Sequence, residues 1–517
     1  MPQVTIEQAL GVAVRHHQAG RLPDAERLYR EILRLDAANV FAMHYLGVVC
    51  QQTARGDEAV DLIRRAVELQ PRYAEAHYNL GNALKDAGDL DAACNSWRRA
   101  VELNPKLPEA HGNLANVLRN KGDINAAIAA YRQAIALNPT WADAHSNLGL
   151  ALKDKGEVDA AIAACRKAIE LKPDHAEAHN NLAVALRERG DLDEAIAEWN
   201  RAIAIRPDYA DAHFNLALGL LLKGDWQRGW EEHEWRWKVS RLPPPRPFSQ
   251  PCWKGEDVKR KTVLIHAEQG YGDAIQFLRY VPMLAERGAR VIVEVQPELK
   301  RLADGLPGAA QVVERGAELP KFDFYCPMVS LPRGFATTPE TIPAGMPYLS
   351  ADAKITERWR TKFEGSPPAL KVGLAWAGSP THRNDRNRSI ALSQLSPLAN
   401  VKGAAFFSLQ KGAAAIRTAD FCMIDWISDL TDFAETAGLI ANLDLVISVD
   451  TAVAHLAGAM GKPIWMLLPF MPDWRWLRDR SETPWYSRMR LFRQKRRGDW
   501  NAVIAEVAAA LKERAKP

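Results

Sequence analysis

The sequence predicts an α-helical solenoid followed by an α/β module, two parallel-sheet lobes facing each other across a cleft. Three observations predict it. A 34-residue period runs through the first half, marked by Pro71, Pro105, Pro139, Pro173 and Pro207. The composition shifts near the middle, thirteen of the sixteen tryptophans falling after residue 225. From residue 262 onward, short apolar runs alternate with helical patterns. At 517 residues the chain exceeds a single hydrophobic core, so several domains are expected.

The solenoid is assigned to 1–238. Gly88, Gly122, Gly156, Gly190 and Gly224 keep the period of the prolines, and so do Leu80, Leu114, Leu148, Leu182 and Leu216. Each unit therefore reads as a helix, a glycine turn, a second helix and a proline that stops it. Alanines at 93, 127, 161 and 195, and again at 100, 134, 168 and 202, permit close helix packing. This pattern resembles the tetratricopeptide repeat over residues 6–237, about seven units. The first two units are degenerate, with Ala37 in place of the proline and Ala54 in place of the turn glycine.

Such arrays turn the first helix of every unit to one long face. That helix carries Asn79, Asn113, Asn147, Asn181 and Asn215 at equivalent positions. Asparagine is a mediocre helix former, so the row asks for a reason. One reason is a ladder of amides gripping the backbone of an extended peptide, a protein acceptor included. The other is that each amide ties neighbouring repeats together. The row is similar to the asparagine ladder of O-GlcNAc transferases, which share this overall plan. His77, His111, His145, His179 and His213 stand two residues earlier in each helix. Stacked repeats hold equivalent side chains about 10 Å apart, too far for rings to converge on a metal, so these read as structural.

The segment 224–239 reads as a last helix whose aromatics cap the array or dock it onto the next domain. Residues 239–260 form a proline-rich linker, with RLPPPRPFSQP at 241–251 favouring an extended, stiff path. The first α/β lobe is assigned to 261–350, with strands at 262–268, 290–296 and 322–328 and one helix at 273–288. The second occupies 351–517, with strands at 371–378, 404–410, 445–450 and 463–469. Helices are expected over FAETAGLIANL and TAVAHLAGAM, and the last helix is expected to pack back across both lobes. Two strand–helix series of this kind imply two parallel sheets with a cleft between them.

Two motifs carry a more specific resemblance. Gly270-Tyr271-Gly272-Asp273 lies between the first strand and first helix of the first lobe. Asp450-Thr451-Ala452 through His455 begins a helix after a buried strand of the second. The pair resembles the heptosyltransferase-like enzymes of glycosyltransferase family nine, which have the GT-B architecture of two Rossmann-like lobes. In that family the second motif is DTGxxHLA and binds the phosphates of a nucleotide-sugar. Ala452 replaces its glycine here.

A helix N-terminus carries about half a positive charge on free N–H groups and holds an anion without a metal. The DLD triplets at 89–91 and 191–193 fall in repeat turns, away from any donor site, so no metal or cofactor is expected. Arg388, in THRNDRNRS after the strand at 371–378, matches a basic residue near the family's donor phosphates; Arg383 and Arg386 are weaker candidates. Gln410 and Lys411 end the next strand, where the family often has an acidic residue for the nucleoside. Asp450, Thr451 and Ala452 open the helix. His455 either touches phosphate or is a buried, satisfied histidine. Asp473, in PFMPDWRWLRDR, is a candidate for sugar hydroxyls, and the aromatics around it either stack on the ligand or pack on the neighbouring lobe. Gly270 and Gly272 flank Asp273, which resembles the family's catalytic aspartate. A carboxylate with a pKa of about 4 cannot deprotonate an alcohol in advance, but it can take the proton as the new bond forms. Its plain alternative is a helix cap.

A net charge of +4 argues against a dedicated nucleic-acid partner, and the basic cluster 493–497 reads as a solvated loop. No basic start followed by an apolar block opens the chain, and no run approaches the ~20 residues of a membrane span. The six scattered cysteines read as reduced thiols, so a cytoplasmic protein is expected. The sequence thus points to an inverting, metal-independent glycosyltransferase whose repeats recruit a protein acceptor. A lipid-linked or polysaccharide acceptor is one alternative, and an interaction scaffold with an inactive transferase half is another.

Overall fold

A computed structural model describes residues 5–343, 345–365, 369–382, 384–412 and 421–516. The chain divides into two compact units, one ending at Asp208 and one beginning at Tyr209.

The first unit is six helix pairs, from Ile6–Gln18 with Leu22–Leu35 to Ala176–Arg189 with Leu192–Ile205. The alanines of the periodic positions, Ala93, Ala127, Ala161 and Ala195 among them, are fully buried where helices cross. At the turn, Gly156 has φ 94° and Gly190 φ 108°, values that a Cβ disfavours. Ala54 keeps the same left-handed turn at φ 59°, so the degenerate repeat folds like its neighbours despite its alanine. Asp89 and Asp123 cap the second helices of their repeats by accepting from Ala92 N and Ala126 N.

The histidine row is structural, as expected. His77, His111, His145 and His179 each bring Nε2 to within 3.0–3.1 Å of the carbonyl oxygen of the proline six residues earlier. A proline has no N–H and marks where a helix stops, and the imidazole satisfies its carbonyl. All five asparagines of the row are partly exposed. Three amides reach back one repeat: Asn79 Nδ2 to His44 Nε2 at 2.7 Å, Asn113 Nδ2 to Asn82 Oδ1 at 3.0 Å, Asn181 Nδ2 to Ser146 Oγ at 3.0 Å.

The second unit begins with the pair Ala210–Lys223 and Trp226–His233, continued by a 3₁₀ turn Glu234–Lys238. Sequence pattern assigns this pair to the array, yet it belongs to the compact unit of the α/β half. The reason is aromatic packing. Trp226 stacks on Trp485 with ring centroids 5.2 Å apart, and Trp230 meets Trp474 edge-on at 5.1 Å and donates to the Thr337 carbonyl. The linker is extended along the first lobe: Trp253 N donates to Tyr325 O, and Tyr325 N to Pro251 O.

The first sheet has β1 Thr262–His266, β2 Arg290–Val295, β3 Ala309–Glu314 and β4 Phe324–Pro327, all parallel in the order β3-β2-β1-β4. The second has β5 Leu370–Ala375, β6 Ala404–Ser408, β7 Leu445–Val449, β8 Ile464–Leu468 and β9 Met489–Arg493, parallel in the order β6-β5-β7-β8-β9. The two-sheet α/β fold is therefore present, with β3 and β9 added to the seven expected strands.

Two expectations are corrected. The helix expected at 273–288 is broken into Tyr271–Phe277, a 3₁₀ turn Leu278–Tyr280, and Val281–Glu286, because Pro282 cannot continue an α-helical ladder. The last helix, Trp500–Arg514, does not span both lobes: Trp500, Val503, Ile504, Val507 and Leu511 join the core of the second sheet with Val372, Leu398 and Phe492.

Candidate active site

In both lobes the motif sits where a central strand ends and a helix begins, the usual ligand crevice of parallel sheets. After β1 come Glu268, Gln269 and Gly270, then the Tyr271–Phe277 helix; after β7 come Asp450 and Thr451, then the Ala452–Ala459 helix. The two helix starts touch. A Cβ added to Gly272 would lie 2.9 Å from His455 Cδ2 and 3.6 Å from Ala452 Cα, so only glycine permits this approach. The backbone of Ala452 thus lies against a glycine supplied by the opposite lobe.

Asp273 caps its helix and does something more. Its Oδ2 accepts from Gly270 N at 3.0 Å, and its Oδ1 pairs with Arg475 Nη2, from the loop after β8. Arg475 is buried; its Nη1 donates to Asp473 Oδ1 at 2.8 Å and its Nε to Gln276 Oε1 at 2.5 Å. Burial alone would lower the pKa of this guanidinium, but Asp473, Asp273 and Asp450 outweigh burial and raise it. Asp473, expected at sugar hydroxyls, here holds Arg475.

Asp450 accepts from Trp476 Nε1 at 2.9 Å and lies 3.6 Å from His455 Nε2. Burial pushes its pKa up, while His455, Trp476 and Arg475 pull harder and hold it at about 2. His455 is buried, with Nδ1 2.8 Å from Tyr486 Oη, so it is a satisfied histidine that fixes Asp450. Thr451 is bonded through its hydroxyl to Ser448 Oγ at 2.9 Å, and no side chain caps the helix it starts. Arg388 lies beside that start, Nη1 donating to the Asp450 carbonyl at 3.0 Å, and Gly378 leaves the space its guanidinium occupies.

Gln410 is spent on the backbone. Its Oε1 accepts from Trp376 N and Ala377 N, and its Nε2 donates to Ala377 O and Lys411 O, which braces the turn after β5. Lys411 Nζ reaches the Leu430 carbonyl. Arg386 is exposed on the Arg388 loop; Arg383 lies outside the described residues. Of the aromatics of 469–480, Phe470 is partly exposed, while Trp474 and Trp476 are buried, Trp476 with its ring 5.5 Å from His455. Among the described residues, no group of three or more His, Cys, Asp or Glu is arranged to hold a metal.

The structure adds residues that sequence reasoning missed. Arg475 is the main one, and its signal was a charge set between two tryptophans, Trp474 and Trp476, which implies a buried cation in need of acids. His382 is another: its ring is drawn below its ordinary pKa by partial burial and then by Arg388, against Asp450, Asp473 and Asp273. Glu268 is the third. Its Oε1 accepts from Val329 N and pairs with Arg236, while its Oε2 is buried without a partner. Burial raises its pKa to about 7, with Asp273 adding to the rise and Arg236 opposing it.

Tetratricopeptide-repeat profiles match residues 62–95, 81–122, 115–156, 142–175, 164–197 and 185–224, an unbroken run. The first half is a tetratricopeptide-repeat array. In the second half, residues 423–467 match glycosyltransferase family 9 (heptosyltransferase), a stretch that includes β7, Asp450, Thr451 and His455. Protein FlbA of Caulobacter vibrioides is 27% identical over 314 residues, 55% of this chain and 52% of FlbA. The chain thus spans about half the length of that relative. Among solved structures, YrrB, described as a TPR protein with an unusual peptide-binding site, is 21% identical with a TM-score of 0.33, over 36% of this chain and 95% of that one. A thermophilic TPR protein of Thermus thermophilus is 28% identical with a TM-score of 0.29, over 35% and 97%. No helix among the described residues is long and apolar enough to cross a membrane.

Proposed function

We propose that the chain is an inverting GT-B glycosyltransferase that moves a sugar from a nucleotide-sugar to a protein acceptor recruited by the repeat array, with no metal required. The observation that carries this reading is the start of the Ala452–Ala459 helix. It is uncapped by any side chain, flanked by Arg388 on the Asp450 carbonyl, and inside the stretch that matches family 9. Backbone N–H groups and a guanidinium are what a leaving diphosphate needs as its charge develops. Ser448 and His455 hold Thr451 and Asp450 in place beneath it.

Asp273 faces that helix from the other lobe and is the base. As the acceptor oxygen bonds to the anomeric carbon, its proton passes to the Asp273 carboxylate. The bond from that carbon to the phosphate oxygen breaks on the opposite face, and the nucleoside diphosphate leaves with the electron pair. Attack opposite the leaving group inverts the anomeric centre. The asparagine row, partly exposed in register, suits the backbone of an extended acceptor segment.

The test is release of nucleoside diphosphate from a panel of UDP-, ADP-, GDP-, CDP- and dTDP-sugars by the full chain in EDTA, with peptide acceptors. One donor should turn over, and Asp273→Asn should slow it by about 10²–10⁴-fold with donor binding retained. A chain that binds no donor and releases nothing would contradict the reading; the repeats would then be its working part.

A further inference from the structure

Asp273 is not a free carboxylate. One oxygen takes the Gly270 amide and the other takes Arg475, so both are engaged and neither is open to an acceptor hydroxyl. Arg475 sits on the donor side, in the loop after β8. Its neighbour Trp476 donates to Asp450, the residue before the Thr451 helix start, and Arg475 feels the charges of Asp473, Asp273 and Asp450 together. One buried guanidinium is therefore shared between the acceptor-lobe base and the donor-lobe acids that frame the phosphate position.

Resting on the function proposed above, we propose that Arg475 is a shared counter-ion. It holds Asp273 as found here, and it turns to the diphosphate when the donor binds, releasing Asp273 to receive the acceptor proton. The local charge count drives the exchange. Asp273, Asp450 and Asp473 all act on Arg475, so a diphosphate brings further negative charge to compete for the same guanidinium. The guanidinium fork binds carboxylate and phosphate with the same geometry, and the exchange replaces one charge-assisted set of hydrogen bonds with another. The consequence is order: the base becomes competent only after the donor is seated. Arg475 is thus a positioning residue for Asp273 as well as a donor contact.

The test is competition. UDP, ADP, GDP, CDP and dTDP are titrated calorimetrically, without metal, into the full-length wild type, Asp273→Asn and Arg475→Lys. Asparagine keeps an oxygen for the Gly270 amide but no longer pairs with Arg475, so the nucleotide that binds wild type should bind Asp273→Asn about tenfold more tightly. Arg475→Lys, which loses the fork, should bind it about tenfold more weakly. Asp473→Asn relieves the same guanidinium from the donor side and should also tighten binding, which serves if Asp273→Asn fails to fold. Unchanged or weaker binding to Asp273→Asn, with a wild-type melting curve, would show that Arg475 is a fixed pillar between the lobes and overturn the exchange while leaving the proposed function standing. Binding of no nucleotide to wild type would overturn both.

Discussion

Glu268 shows how one side chain can report on its surroundings. Its carboxyl is buried beside Arg236, with one oxygen unpartnered, and its pKa is raised from the ordinary 4.5 to about 7. A group that holds its proton more tightly in the fold contributes full stability below pH 4.5 and loses it as the pH rises through 7. Glu268→Gln cannot titrate, and Glu234 stays paired with Arg236 in that variant. Between pH 5.5 and pH 8 the wild type should therefore lose about 1–2 kcal/mol more stability than Glu268→Gln. Denaturant midpoints at the two pH values check this; parallel losses would mean that Glu268 is ionised throughout. Asp450 is the opposite case, held at about 2 chiefly against burial by His455, so its contribution persists to strong acid. Gly272 was legible as part of a motif, but its physical reason was not. Only the fold shows that the glycine admits His455 and Ala452 of the other lobe.

At the scale of elements, the period of 34 made the helix pairs plain, because proline, glycine and alanine each act locally. The strands buried on both faces, β1, β5, β7 and β8, were equally plain as apolar runs. β3 was not, since Val313 alone of its residues is buried and the rest are at least partly exposed at a sheet edge. β9 was hidden by Arg490 and Arg493, which interrupt its apolar residues. The break at Pro282 was legible as a proline, but the apolar period continues across it and masks the interruption. Among these elements the turn at Ala54 offers a direct check. Its φ of 59° strains an alanine and suits a glycine, so Ala54→Gly should stabilise that turn by about 0.5–1 kcal/mol. Hydrogen exchange in Val40–Gln52 and Gly56–Leu69 should slow; faster exchange would show that chain entropy outweighs the relief.

At the scale of the molecule, a repeat array and a transferase-like α/β half share one chain, and the sequence alone placed both. What it could not place was the electrostatic arrangement of the cleft. Arg475 meets Asp273 across 202 positions of sequence, and Trp476 meets Asp450 through a loop whose aromatics read either as ligand-stacking or as packing on the neighbouring lobe. Pairings of that kind depend on how two lobes close, which no local period encodes. The same fold turned several candidates inward: Gln410 became a brace and Asp473 a support for Arg475, while Arg388 donates to the Asp450 carbonyl beside the Thr451 helix start. Whether a nucleoside diphosphate binds there is the central question. The direct measurement is calorimetric titration of the full chain with UDP, ADP, GDP, CDP and dTDP in EDTA, beside Arg388→Ala. The account predicts that one nucleotide binds the wild type and that Arg388→Ala weakens it by about 10–100-fold, the loss of one charge-assisted contact. Equal binding to both proteins, or none to the wild type, would contradict it.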